Sequence, residues 1–113
     1  IKLLEKYFNF SIFTELKILD LSSNFLESIR SDMFKFNKKL DSLYLQENLL
    51  KKFSFDHFYP FLHLKLDLSK NKISTIDLNK DEKTFFNLIK LSNNKLDYFN
   101  FAKLRNFFSD LIY

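Results

Sequence analysis

Apolar and polar positions along this chain repeat with a regular period. An Asn recurs at spacings of 24, 23 and 23 residues, at Asn24, Asn48, Asn71 and Asn94. Five positions around each Asn are apolar, at offsets of −8, −5, −3, +2 and +5, with one exception among the twenty. The 46% hydrophobic content of the chain would fill only about nine of them by chance. A repeat this short cannot enclose a core alone, so the copies must stack on one another.

One position breaks this apolar frame. The twenty positions of the four copies are, in order, Leu16, Leu19, Leu21, Leu26 and Ile29; Leu40, Leu43, Leu45, Leu50 and Phe53; His63, Leu66, Leu68, Ile73 and Ile76; and Phe86, Ile89, Leu91, Leu96 and Phe99. The exception is His63, which Leu62 and Leu64 flank in a copy that looks one residue short. We expect a small slip there that restores an apolar contact.

The residues before each Asn alternate between the two sides of a strand. In the first copy Leu19 and Leu21 should point inward, and Ile18 and Asp20 outward. One such strand per copy, repeated with the same polarity, predicts a parallel sheet. The remainder of each copy returns the chain across the other side. Because the strand side packs more closely, the stack should bend into an arc.

The recurring Asn has a structural role in this interpretation. The chain turns inward after each strand and leaves backbone N–H and C=O groups that a buried amide can satisfy, in its own copy and in the neighbouring one. The sequence therefore predicts a ladder formed by Asn24, Asn48, Asn71 and Asn94. Replacing Asn48 or Asn71 by Leu should destabilise the fold, whereas Asn37→Leu, outside the ladder, should not.

The frame resembles the leucine-rich repeat, LxxLxLxxNxLxx(L/I). A Phe lies ten residues after the Asn at Phe34 and Phe58 and in the same phase at Phe10, while Leu104 takes that position in the last copy and Asp81 breaks the rule in the third. A period near 24 with this Phe is similar to the "typical" subclass found in Toll-like receptors and Slit proteins. Over residues 10–111, the resemblance implies an α/β solenoid. Its curved right-handed coil would carry a parallel β-sheet on the concave face, with loops and short 3₁₀ or helical turns on the convex face.

The chain is expected to be one segment of a longer solenoid. Neither end has the polar outer face that a terminal repeat normally carries. The repeat positions predict a single domain over residues 1–113. It divides into a partial repeat at 1–15, repeats at 16–39, 40–62, 63–85 and 86–110, and the start of a further repeat at 111–113.

Composition narrows the chemistry of the chain. It has no Cys and no Gly, so disulfides, thiol nucleophiles and glycine-rich phosphate loops are excluded, and Asn, Asp and Ser must supply the tight turns. The net charge of +4 comes from lysines interleaved with acidic residues, which favours a solvated surface over a nucleic-acid site. The only histidines are His57 and His63. We predict no catalytic residue, no cofactor and no metal site. The sequon at Asn9 is a possible glycosylation site in a secreted protein.

The outward strand residues are the candidate binding surface. They form four rows: Ile18, Ser42, Lys65 and Leu88; Asp20, Tyr44, Asp67 and Lys90; Ser22, Gln46, Ser69 and Ser92; and Ser23, Glu47, Lys70 and Asn93. The predicted ligand-binding residues on the concave face are Tyr44, Asp20, Asp67, Lys90, Gln46, Lys65, Ile18 and Leu88. Tyr44 is the strongest single candidate because Tyr is enriched at binding hot spots, although lone exposed aromatic residues are also normal on protein surfaces.

These observations predict a non-enzymatic module that binds a protein ligand or a partner subunit. The resemblance to the Phe-bearing class points to the ectodomain of a larger receptor or adhesion-type protein, extracellular or at the cell surface. In that case the membrane would be reached only through other parts of the parent chain. Two alternatives remain open: an intracellular scaffold or regulatory subunit in the cytoplasm, which the lack of Cys favours, and the binding arm of a larger enzyme such as a kinase. The oligomeric state is open.

Overall fold

One strand from each repeat joins a parallel sheet, as the alternation of inward and outward residues predicts. The computed structural model of the chain describes residues 13–30, 33–54, 64–77 and 86–97. Its strands are β1 (Ile18–Asp20), β2 (Ser42–Tyr44), β3 (Lys52–Ser54), β4 (Leu64–Asp67), β5 (Thr75–Asp77) and β6 (Phe86–Lys90). The described residues contain no helix, and turns at 33–36 and 38–39 carry the return of the first copy. The expected loops are therefore present, whereas the helical turns of the predicted α/β class have no counterpart in these ranges.

The register of the main sheet confirms the first two predicted rows of outward residues. Strands β1, β2, β4 and β6 lie side by side in that order, and all pairs are parallel. The three rows that cross the sheet are Ile18, Ser42, Lys65 and Leu88; Leu19, Leu43, Leu66 and Ile89; and Asp20, Tyr44, Asp67 and Lys90. The middle row points inward and the flanking rows point outward.

A slip in register occurs where the apolar frame was imperfect. The pairing of β4 with β6 shifts between Leu64 and Lys65, so that Leu64 lies opposite Phe86 while Lys65 lies opposite Leu88. Leu64 is fully buried. It therefore takes the apolar position that His63 could not fill, as expected, although His63 itself lies outside the described residues.

A second parallel sheet, of two strands, forms after the ladder residues Asn48 and Asn71 and was not predicted from the sequence. Strand β3 pairs with β5, with Phe53 opposite Ile76. These residues occupy the repeat's +5 position, and Ile76 is buried. The sequence did contain a signal for these short strands, since Phe53 and Ile76 are each a single apolar residue between two polar ones.

The core is a column of the repeat's inward apolar residues, as predicted. Those almost fully buried include Leu26, Leu43, Leu45, Leu50, Leu66, Leu68, Ile73 and Ile89, joined by Met33 and Phe34. Leu16, Leu19 and Leu21 of the first copy are only partly buried, because β1 has just one neighbour, β2, in the described sheet. Phe34 is fully buried and packs in this cluster, while Phe10, Phe58 and Leu104 lie outside the described ranges.

Three ladder residues, Asn48, Asn71 and Asn94, each bond to two coils at once. In the second copy, the Oδ1 atom of Asn48 accepts a hydrogen bond from the backbone N–H of Leu26 at 3.0 Å. Its Nδ2 donates to the carbonyl of Leu21 in the preceding coil at 3.0 Å and to that of Leu45 in its own coil at 3.0 Å. The side chain thus satisfies groups that an apolar residue would leave unpaired.

Neighbouring ladder residues share carbonyl groups. The Leu45 carbonyl accepts from both Asn48 and Asn71, and the Leu68 carbonyl accepts from both Asn71 and Asn94. Among the described residues, Asn24 donates to the carbonyls of Leu21 and Ser22 in its own turn. The predicted ladder is therefore confirmed as a continuous chain of bonds between coils.

The expectation for Asn37 was wrong. Its side chain is fully buried, and its Nδ2 donates to the Phe13 carbonyl of the preceding coil at 3.0 Å. The backbone carbonyl of Asn37 also closes the return turn, because it accepts a hydrogen bond from the Leu40 N–H at 3.1 Å. Asn37 holds two coils together on the return side, so Asn37→Leu should destabilise the protein.

The residue before each ladder Asn has a left-handed backbone. The φ angles are 55° at Ser23, 59° at Glu47, 54° at Lys70 and 57° at Asn93. The prediction that Asn, Asp and Ser supply such turns is correct at Ser23 and Asn93 and wrong at the other two. Hydrogen bonds between coils hold this turn in place whichever residue occupies it. The Glu47 N–H, for example, donates to the Ser69 carbonyl of the next coil at 3.1 Å. Glu47 and Lys70 therefore carry a backbone strain of about 1–2 kcal/mol each.

Replacing Asn48 or Asn71 by Leu should lower the free energy of unfolding by at least about 3 kcal/mol, because several buried backbone groups lose their partners at about 1–3 kcal/mol each. Asn24→Leu should cost less, since the hydrogen bonds that Asn24 makes to described residues lie within its own turn. Urea denaturation of the three variants measures the difference. Equal losses for all three would show that the bonds between coils add nothing.

Replacing Lys70 by Gly should raise the free energy of unfolding by about 0.5–1 kcal/mol, because relief of the left-handed backbone exceeds the entropy that Gly gains when unfolded. The matched control is Lys72→Gly, two residues further on, where the backbone is not left-handed and the same substitution should destabilise. Thermal unfolding compares the two. A loss of stability in both variants would contradict the strain at Lys70.

Candidate binding surface on the four-stranded sheet

The outer face of the four-stranded sheet presents the two outward rows side by side. Alternation along each strand fixes this direction: Leu43 is fully buried, and the next residue, Tyr44, is 36% exposed. Ile18 is 62% exposed, and Lys65 and Lys90 are also exposed. Side chains from different repeats therefore meet on one surface.

Ser42 differs from its predicted exposure. Its register places it in the first outward row between Ile18 and Lys65, yet it is only 9% exposed. A short side chain between two longer ones in the same row has little access to solvent. Ser42 therefore contributes little to the binding surface.

A shallow depression of about 80 Å³ lies between β2, β4 and β6. The six residues that line it are Tyr44, Lys65, Leu66, Asp67, Leu88 and Lys90. Five of the eight predicted ligand-binding residues are among them. Leu66 was not among the predicted residues, because the alternation of β4 directs its side chain into the core, where it is almost fully buried.

The other three predicted residues lie away from the depression. Ile18 and Asp20 belong to β1, at the edge of the described sheet. Gln46 follows β2 and is half-buried. Its Oε1 is buried with no hydrogen-bond partner in the described structure, while its backbone carbonyl accepts from Asn48 Nδ2 at 3.3 Å. Gln46 is thus part of the turn region beside the ladder.

Two of the predicted acidic residues close turns at the ends of their strands. The Asp20 Oδ1 accepts from the Ser22 N–H at 2.9 Å and from the Ser22 hydroxyl at 2.6 Å. The Asp67 Oδ1 accepts from the Ser69 N–H at 3.0 Å and from the Ser69 hydroxyl at 2.6 Å. The spacing Asp-x-Ser is the sequence signal for this turn, and it was overlooked. Each carboxylate therefore has a structural role as well as a place on the outer face.

These bonds also affect the charge of Asp20. The hydroxyl bond from Ser22, followed by its backbone N–H bond, holds the pKa of the Asp20 carboxyl below its ordinary value of 3.8, against a small opposing effect of burial. A donor to a carboxylate favours the ionised form. Asp20 is therefore ionised throughout the physiological pH range.

Lys65 and Lys90 are the cationic residues of the depression. Neither makes an ion pair with any described residue; the pairs found in those ranges join Lys39 to Glu15, Lys52 to Asp77 and Lys70 to Glu47. Their amines are therefore available to a ligand.

Exposed apolar residues also occur away from the sheet face. Phe25 is 69% exposed, Phe36 50% and Phe13 44%. All three lie outside the five apolar positions of the repeat, which is the sequence signal that could have identified them. They offer matched controls for substitutions on the sheet face.

The size of the depression limits what it can hold. Small-molecule sites usually enclose about 300–1,000 Å³, so this depression accommodates a single side chain of a larger partner. Among residues 13–30, 33–54, 64–77 and 86–97, no three potential metal-ligating side chains lie together. No helix in the same ranges is suited to crossing a bilayer. The sequon Asn9 and both histidines, His57 and His63, lie outside the described residues.

Comparison with known proteins identifies the family. A family model described as "Leucine rich repeat" matches residues 14–73, more than half of the chain. No curated protein and no solved structure matches the chain. The matched segment contains β1 to β4 and the first three ladder residues, Asn24, Asn48 and Asn71. Domains of this family are generally non-enzymatic modules that bind other proteins. On its repeat frame, its stacked parallel strands and this match, the chain belongs to the leucine-rich repeat family.

Proposed function

We propose that this domain recognises a protein ligand through the outer face of its four-stranded sheet, with Tyr44 at the centre of the interface. The observation that carries the proposal is the depression between β2, β4 and β6, which is lined by Tyr44, Leu88 and two lysines that make no ion pair with a described residue. Tyr44 combines a large apolar surface with a polar tip, which suits a contact that is exposed before binding and buried afterwards.

The rigidity of the sheet supports this proposal. Tyr44, Asp67 and Lys90 are held in one row by the pairing of three strands. The inward residues beneath the row, Leu43 and Ile89, are fully buried. A surface fixed in this way loses little conformational entropy on binding, so more of the contact energy appears as affinity.

The proposal extends to the setting of the domain, as part of the ectodomain of a larger receptor or adhesion-type protein outside the cell or at its surface. The supporting observations are the first repeat of 24 residues and the complete burial of Phe34, the aromatic residue shared with the extracellular class. The absence of Cys favours the alternative, an intracellular scaffold.

Tyr44→Ala and Leu88→Ala should each weaken ligand binding by about tenfold or more, the loss typical of central hot-spot residues. The ligands are peptides selected from a displayed random library on the wild-type chain, and fluorescence anisotropy measures their affinities. Phe25→Ala and Phe36→Ala are matched controls, since both remove exposed aromatic rings away from the sheet face. Thermal unfolding of each variant establishes that the fold is retained. Peptides that lose affinity only in the Phe variants would place the interface elsewhere.

An antibody against this domain should label intact cells that express the parent protein as strongly as permeabilised cells. The physical reason is that an ectodomain is accessible from outside the bilayer. Flow cytometry of the two samples measures the ratio, with an antibody against a cytoplasmic protein as the control. Labelling confined to permeabilised cells would favour the intracellular scaffold.

A further inference from the structure

The charge arrangement in the depression defines the chemistry of its occupant more narrowly than protein binding alone. Lys65 lies opposite Leu88 in the first outward row, and Lys90 lies opposite Asp67 in the second. The two lysines therefore stand at opposite corners of a four-residue block, with Cα atoms about 8 Å apart by ordinary strand spacing. Flexible lysine stems allow both amines to reach a single group placed between them.

The acidic residue of this block does not neutralise the two amines. Asp67 Oδ1 is occupied by both bonds from Ser69, which directs the carboxylate toward the end of its own strand. Neither Lys65 nor Lys90 lies within ion-pair distance of it. The block therefore has two positive charges and one negative charge, and it can accept one further negative charge.

The walls of the depression are apolar where the stem of a bound side chain would lie. Tyr44 borders it from β2 and Leu88 from β6. An aliphatic stem between these two side chains would bury apolar surface, and a carboxylate at its tip would lie at the lysine amines. The volume of about 80 Å³ suits one such side chain.

The rest of the outer face argues against a polyanion such as nucleic acid. Asp20 lies beside Tyr44 in the second row, and Glu47 follows β2 at the exit of its strand. A phosphate backbone extending across the sheet from the two lysines would meet these carboxylates. A single isolated negative charge would not.

We propose that the depression binds a glutamate or aspartate side chain of a protein partner, with its carboxylate between the amines of Lys65 and Lys90 and its stem between Tyr44 and Leu88. This proposal rests on the function proposed above, because it specifies the ligand for the same surface. It also specifies a feature of the partner, namely an exposed acidic residue in an accessible segment.

Two displayed peptide libraries, identical except that one central position is Glu in one and Lys in the other, provide the probe. The wild-type 113-residue chain should enrich binders only from the Glu library. The paired variant Lys65→Glu/Lys90→Glu should bind the enriched peptides about tenfold or more weakly, because close charge pairs contribute strongly to affinity when partly desolvated. The same variant should bind peptides whose central Glu is changed to Lys better than the wild type does. Added salt should weaken the wild-type interaction.

The matched control is Lys72→Glu/Lys95→Glu, which makes the same change of charge at exposed residues just after the ladder Asn and should leave affinity within about twofold. Enrichment of neutral or basic peptides that still depend on Tyr44 would overturn this inference while leaving the proposed function intact. Binding indifferent to both Tyr44→Ala and the Lys65/Lys90 variant would overturn both. A labelled single-stranded oligonucleotide that binds as tightly as the acidic peptides would overturn the assignment to a protein carboxylate.

Discussion

The structure depends on one recurring interaction, the bond of a buried Asn side chain to backbone groups of two successive coils. Asn48, Asn71 and Asn94 each accept a hydrogen bond from one N–H and donate to carbonyls of their own and the preceding coil. These bonds lie where the chain leaves the sheet, the point at which a short coil has unpaired backbone groups inside. Because a lost partner there costs about 1–3 kcal/mol, the ladder fixes both the turn and the stacking distance. The left-handed backbones of Glu47 and Lys70 are tolerated because this network determines their conformation.

The candidate binding surface follows from the same stacking. Once coils are held in register, outward residues 23 or 24 positions apart in sequence become neighbours, as Tyr44, Asp67 and Lys90 do. No single repeat contains the depression, since its six lining residues come from three strands. The surface can therefore vary from row to row without affecting the ladder or the core. Asp20 and Asp67 are exceptions, because each also closes a turn through the Ser two residues on.

Much of the fold was predictable because the determining pattern is local and repeated. The five apolar offsets and the Asn gave the strand positions, the parallel order and the rows of outward residues. Even the slip at His63 was indicated by the neighbouring Leu64, which is fully buried. What escaped prediction depends on how neighbouring coils pair, which the identity of a residue in the repeat does not specify. The pairing of Phe53 with Ile76, the buried Asn37 and its bond to Phe13, and the left-handed Glu47 and Lys70 are of this kind.

The sequence by itself determined the repeat, the inward column of apolar residues and which side chains face outward, since these follow from periodicity along the chain. The tertiary structure decided which outward residues line the depression. It separated Tyr44, Lys65 and Lys90, which meet at the depression, from Ile18 and Gln46, which do not. It also buried Ser42 between longer neighbours and engaged Asp67 with Ser69. The physical reason is that exposure, ion pairing and cavity shape depend on side chains from adjacent coils, and these become neighbours only when the coils stack.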